Sequence, residues 1–181
     1  MSTEKSCRIL VTTKCNLDCS YCCNKRKDIQ DKFKRVHSLH EIPLHLYENI
    51  NISGGEPTLN GARTAVIAKY IANNISPMLQ SIYLYTNGTL PVPRNLFRWI
   101  DGVNIGVHDS SLLNIMSMLD QWVHSPIDNI RLLVQDINVT AEIAELCSLT
   151  GVTLVPWVLN DCDQPNEDWY TLEEFADETR L

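Results

Sequence analysis

Arg8-Ile9-Leu10-Val11-Thr12 runs into Thr13-Lys14-Cys15-Asn16-Leu17-Asp18-Cys19-Ser20-Tyr21-Cys22-Cys23. A short apolar, β-branched run is followed at once by a polar stretch bearing four cysteines. The run reads as a strand and the stretch after it as a loop. Cys15, Cys19 and Cys22 are spaced Cys-x3-Cys-x2-Cys. Three soft thiolates on one loop can hold three irons of a cubane cluster and leave the fourth iron open, whereas most clusters take four cysteines. The other chemistry open to these residues is zinc. Cys19-x2-Cys22 is one zinc-type pair that Cys15 or Cys23 could join, but no second well-spaced pair follows it.

Two further motifs follow in order. Ile52-Ser53-Gly54-Gly55-Glu56-Pro57 comes after a second strand-like run, and Tyr85-Thr86-Asn87-Gly88 after a third. Glycines at 54 and 55 allow backbone to approach another group closely.

Strand-like runs are read at Ile9–Thr12, Asn49–Ser53, Ser81–Tyr85, Val103–Val107, Ile130–Val134 and Val152–Pro156. Helical patterns are read at Ala62–Asn73, Asn95–Ile100, Leu112–Val123 and Ala141–Leu149, the last capped by Thr140 and ended by Gly151. The first crossover, Asn24–Leu46, reads as a broken helix around Pro43. Strands alternating with helices predict a parallel α/β sheet. A full eight-fold barrel uses about 31 residues per βα unit, so 181 residues allow about six. The expected fold is a partial (β/α)6 barrel over residues 1–160. Residues 161–181 form an acidic C-terminal extension packing on that core, with a helix started by Thr171 and turning Leu172, Phe175 and Ala176 inward. Parallel βα folds gather ligands at the carboxyl ends of their strands. All the chemically suggestive residues follow strands, which predicts one site.

The cysteine triad, Gly54-Gly55-Glu56-Pro57 and Thr86-Asn87-Gly88 together resemble the radical S-adenosylmethionine (radical SAM) superfamily, over about Arg8 to Trp157. The resemblance implies a [4Fe–4S] cluster on Cys15, Cys19 and Cys22, and S-adenosyl-L-methionine as second cofactor. It implies contacts to that cofactor from Tyr21, Gly54, Gly55, Glu56, Pro57, Asn87, His108 and Trp157. Reductive cleavage of the cofactor would give a 5′-deoxyadenosyl radical that abstracts hydrogen from a substrate. His108 and Cys162 are the candidates for a further catalytic role, and Lys14, Arg131 and Gln135 for substrate contact.

The implied partners are a small-molecule or peptide substrate, or a partner enzyme, and a reducing electron donor such as flavodoxin or ferredoxin. Three subclasses fit. They are a glycyl-radical enzyme activase, from Tyr21-Cys22-Cys23-Asn24; a deazaguanine-type synthase, from Thr86-Asn87-Gly88-Thr89; and a peptide modifier. The deazaguanine group usually has a Gln-Gly-Glu-Gly stretch before its cluster, and peptide modifiers a Cys-rich C-terminal extension; neither occurs here. A different class, an inactive iron–sulfur interaction module, has no need of an intact Gly-Gly-Glu-Pro turn.

Charge excludes some classes. The net charge of −7 argues against a nucleic-acid partner. No apolar run is long enough for a bilayer, and seven cysteines, an odd count, give no disulfide framework. The expected setting is a reducing cytoplasm. Residues 1–40 hold nine Lys/Arg against four Asp/Glu, whereas residues 161–181 hold eight acids and one Arg. The basic stretch Lys25-Arg26-Lys27 with Lys32, Lys34 and Arg35 is interrupted by Asp28 and Asp31 and reads as a solvated face.

Overall fold

The structure, a computed structural model, describes residues 4–158 and 166–173. Its eight strands are β1 (Ser6–Leu10), β2 (Phe33–Val36), β3 (Asn49–Ser53), β4 (Ser81–Thr86), β5 (Gly102–Gly106), β6 (Asn129–Gln135), β7 (Thr153–Trp157) and β8 (Glu167–Leu172). All pair in parallel, in the order β2-β8-β1-β3-β4-β5-β6-β7, with β2 and β7 as unjoined edges. The expected class, an open parallel α/β sheet of the partial-barrel kind, is what the chain forms. The α-helices are α1 (Lys27–Gln30, one turn), α2 (Gly61–Asn73), α3 (Leu112–Val123) and α4 (Ala141–Thr150).

The strands alternate in burial, most cleanly in β4 and β6. Cys7, Ile9, Ile50, Ile52, Leu84, Val103, Ile105 and Leu132 join one core with Ile67, Ala68 and Ile71 of α2, Ile115, Leu119 and Trp122 of α3, and Ile143 of α4. Side chains alternate across a strand, so Arg8, Asn51, Tyr83, Tyr85, Asn104 and Arg131 face the other way. A parallel sheet covered by helices on both faces would be apolar on both. Here the inner face carries polar groups. Near β1 and β8 a small second cluster of Leu10, Ile29 and Trp169 covers it, with Ile29 supplied by α1.

Helices α2, α3 and α4 lie where periodicity puts them. Thr140 Oγ1 accepts the Ile143 N–H at 3.3 Å, and Gly151 closes α4 with φ +72°. Three expectations are corrected. The segment Asn95–Ile100 makes only a 3-10 turn, Leu96–Arg98. The first crossover is not a broken helix. It contains the single turn α1, the strand β2 and three 3-10 turns.

The third correction concerns the tail. Thr171 and Leu172 lie in β8, not at the start of a helix, and Phe175 and Ala176 fall outside the described residues. β8 inserts between β1 and β2 and places the tail's acids beside the N-terminal bases. Asp168 pairs with Lys34 at 2.8 Å and Lys5 at 3.5 Å, and the buried Glu167 carboxylate accepts from Arg8 Nε at 3.1 Å. Two acids of the tail thus meet three bases of the N-terminal region within one sheet. Sheet pairing overrides a short helical period because a buried ion pair and two new ladders outweigh one weak amphipathic turn.

Candidate functional site

The loop after β1, the turn after β3 and the turn after β4 meet at the carboxyl ends of their strands. The Gly55 N–H donates to the Thr12 carbonyl at 2.8 Å and the Glu56 N–H to the Lys14 carbonyl at 2.8 Å. The turn therefore zips onto the residues that lead into Cys15. Asn24 Nδ2, beyond the last cysteine, donates to the Gly54 carbonyl at 2.6 Å. Both ends of the cysteine loop are tied to one turn.

The glycines are required by this closeness. A Cβ at Gly54, whose φ is +155°, would lie 2.5 Å from the Thr12 carbonyl oxygen, and one at Gly55 would lie 2.1 Å from that of Lys14. Sequence reasoning reserved that space for a ligand. The structure fills it with the backbone of the cysteine loop itself.

Glu56 is fully buried. Its Oε1 accepts from the Thr58 N–H at 2.9 Å, Thr58 Oγ1 at 2.6 Å and Thr86 Oγ1 at 2.8 Å. Its Oε2 accepts the Asn87 N–H at 2.7 Å. The carboxylate joins the second motif to the third, and Pro57 starts the 3-10 turn behind it. Asn87 extends the joint to the first motif. Its Nδ2 donates to Asn16 Oδ1 at 2.8 Å and lies 3.9 Å from Cys15 Sγ, while its Oδ1 accepts from Thr89.

Cys15, Cys19 and Cys22 are free thiols, exposed or half-buried on this loop. Burial pushes the Cys19 thiol above its ordinary value, and Cys22 and Cys15 push it further. The three sulfurs thus act on one another, a cost that a shared positive core would offset. Three free thiols on one loop fit the donor set of a [4Fe–4S] cluster that keeps one iron open.

Tyr21 and His108, expected at the cofactor, meet with Trp157 over this loop. Tyr21 Oη is 2.9 Å from His108 Nδ1, and the two rings stack at 5.9 Å. Trp157, at the end of β7, lies 5.9 Å from the Tyr21 ring. His108 Nδ1 is also 3.3 Å from Cys19 Sγ. Desolvation lowers the imidazole from its ordinary pKa, against the pull of the Glu56 carboxylate. A cleft of about 650 Å³ opens beside Asn87 and His108 and is lined also by Thr89, Asn114 and Gln121.

Lys14 gives its carbonyl to the turn, and Gln135 ends β6 beside Trp157. Arg131 lies deeper on the inner face, and Cys162 falls outside the described residues. The basic stretch beside the loop is a solvated face: Lys25 pairs with Asp18 and Arg26 with Asp28. Sequence reasoning missed Thr58 and Asn16, and quoted Thr86 and Asn24 only as parts of motifs without a role for their side chains. Thr58 and Thr86 had a signal, since a buried carboxylate needs hydrogen-bond donors nearby.

Comparison with known proteins agrees with this geometry. The sequence model described as the Radical SAM superfamily matches residues 9–112. A GTP 3′,8-cyclase of Synechococcus sp. (strain CC9902) is 26% identical over 121 residues, covering 61% of this chain and 34% of that protein. One from Parasynechococcus marenigrum (strain WH8102) is 31% identical over 91 residues, covering 46% and 26%. An uncharacterized protein of Methanocaldococcus jannaschii is 36% identical over 83 residues, covering 44% and 29%. The chain spans about a third or less of the length of these relatives. In fold, it is similar to SuiB of Streptococcus suis bound to S-adenosylmethionine, with TM-score 0.52 and 9% identity, over 94% of this chain and 48% of that one. No helix among the described residues is long and apolar enough to cross a membrane.

Proposed function

The chain belongs to the radical SAM superfamily, and on that premise we propose that it is a radical SAM enzyme with Cys15, Cys19 and Cys22 as ligands of a [4Fe–4S] cluster. The observation that carries this reading is the hydrogen-bonded joint of the three motifs. Thr12 and Lys14 hold Gly55 and Glu56, and Glu56 holds Asn87 beside Cys15. An inactive interaction module would need the thiols but not this joint.

When bound, the cluster and S-adenosylmethionine supply an electron and a cleavable sulfonium bond, and so a 5′-deoxyadenosyl radical able to take a hydrogen atom from substrate. The residues of this chain position and shield. Three thiolates leave one iron site without a protein ligand. The Gly55 and Glu56 N–H groups are already spent, and the Gly54 and Glu56 carbonyls accept from Asn24 and Leu59, so the Gly55 carbonyl oxygen is the acceptor that the turn would offer the amino group of methionine. Tyr21, His108 and Trp157 give an aromatic edge for adenine stacking. Asn87 carries a donor to within reach of Cys15, and His108 a ring nitrogen to within reach of Cys19, places from which hydrogen bonds tune a cluster. A one-electron donor such as flavodoxin or ferredoxin completes the reaction. The substrate approaches from the inner face of the sheet.

The test is anaerobic reconstitution followed by dithionite and S-adenosylmethionine. About four iron and four sulfide per chain are expected, with 5′-deoxyadenosine and methionine detected by mass spectrometry. A fully loaded cluster that yields no 5′-deoxyadenosine would favour the interaction module.

A further inference from the structure

Two arginines point onto the inner face, and the fold treats them differently. Arg8 of β1 is neutralised. Glu167 accepts from its Nε at 3.1 Å, the Tyr85 ring lies 4.2 Å from its guanidinium, and Asn51 Nδ2 donates to the other Glu167 oxygen at 2.8 Å. Arg131 of β6 has no carboxylate partner among the described residues. Its guanidinium lies over the Tyr83 ring at 4.8 Å. A guanidinium held over a ring by cation–π attraction keeps its N–H groups free for an anion.

Asn104 lies beside it. Asn104 pairs in register with Arg131 on one side and Tyr85 on the other, so the side chains rise next to each other. Asn104 is 3% exposed, and its Nδ2 has no hydrogen-bond partner. An orphaned buried donor costs free energy that an acceptor from a ligand would offset. The neighbouring inner positions of β5 are glycines. Gly102 makes room for Tyr83, since a Cβ there would lie 2.5 Å from the ring. A Cβ at Gly106 would meet nothing nearer than His108 Nε2 at 3.5 Å, so the path toward the cysteine loop stays open. Arg131 lies four residues before the end of β6, about 13 Å below the strand ends.

We propose that Arg131 and Asn104 form an anchoring subsite for an anionic group of the substrate, a carboxylate or a phosphate. The proposal rests on the enzymatic reading above only in calling the ligand a substrate. Arg131 offers two parallel N–H donors, Asn104 offers the third, and Tyr83 fixes the guanidinium plane. The reacting end of the substrate then extends past Gly106 toward Tyr21 and His108. Its anionic end stays away from the thiolates, which would repel it.

The experiment is calorimetric titration of anaerobically reconstituted protein with sodium pyrophosphate and, separately, sodium succinate, against sodium chloride at matched ionic strength. Saturable binding of one probe beyond chloride is expected, and which probe binds separates the phosphate from the carboxylate source. Arg131→Gln should weaken it at least tenfold, Arg131→Lys less, and Asn104→Asp should abolish it by placing a carboxylate of the same size against the guanidinium. Iron content and melting curves report folding; if Arg131→Gln does not fold, Asn104→Asp decides in the same way. Absence of binding by both probes, or equal binding by wild type and Asn104→Asp, overturns the subsite. Because the titration needs no cofactor cleavage, its failure is separate from failure of the enzymatic reading.

Discussion

Glu56 Oε2 accepts the backbone N–H of Asn87 at 2.7 Å, with the whole carboxylate out of solvent. That one bond links two motifs 31 residues apart. The other oxygen holds Thr58 and Thr86, so removal of the side chain strands several buried donors at once. Glu56→Ala should cost about 2–4 kcal/mol. A melting midpoint lower by roughly 5–15 °C in calorimetry is expected. Glu56→Gln keeps acceptor Oε1 but turns a donor toward the Asn87 N–H, and should fall between. A midpoint unchanged in Glu56→Ala would show that the joint does not hold the site.

The cysteines separate by place. Cys15→Ala, Cys19→Ala and Cys22→Ala should each lose the iron and sulfide of the reconstituted protein, read by colorimetric assay. Cys147 is buried on α4 beneath the sheet, and burial raises its thiol above the ordinary value. Cys147→Ala should keep full iron content and lose only a little stability. Iron retained by any triad variant would refute the ligand assignment.

Gly55→Ala distinguishes a ligand contact from a backbone contact. Its Cβ would lie 2.1 Å from the Lys14 oxygen, so the loop must move before any ligand is met. Both iron content and S-adenosylmethionine affinity should fall together, by tenfold or more in affinity. A variant with full iron and weak cofactor binding would return the glycine to a purely ligand-facing role.

Acid should loosen β8. Asp168 is held below the ordinary carboxylate range, first by its hydrogen bond from Lys34, with Tyr47 and the charges of Lys34 and Lys5 adding to it against desolvation. A depressed carboxylate contributes stability that is complete above its unfolded value, 3.8, and is lost as pH falls through its lower folded value. Wild-type melting midpoints should therefore drop below about pH 4 more steeply than those of Asp168→Asn. Parallel profiles for the two proteins would remove this pair from the account of β8.

The sequence by itself determined the local half of this protein. Cysteine spacing, the glycine pair and the turn after β4 are encoded within a few residues each, and alternation of apolar runs with helical stripes identified six strands, α2, α3 and α4. Those signals are legible because their physics is short-ranged: a periodic stripe, a cap at Thr140, a left-handed stop at Gly151. Tertiary structure decided the rest. Phe33–Val36 and Glu167–Leu172 carry little apolar periodicity, and they become strands because β8 meets β1 and β2 with Glu167 against Arg8 and Asp168 against Lys34. Nothing local tells that Glu56 spends its carboxylate on Thr58, Thr86 and Asn87, or that Arg8 has an acid partner while Arg131 has a tyrosine ring. Register across parallel strands puts those groups side by side, and register is a property of the assembled sheet.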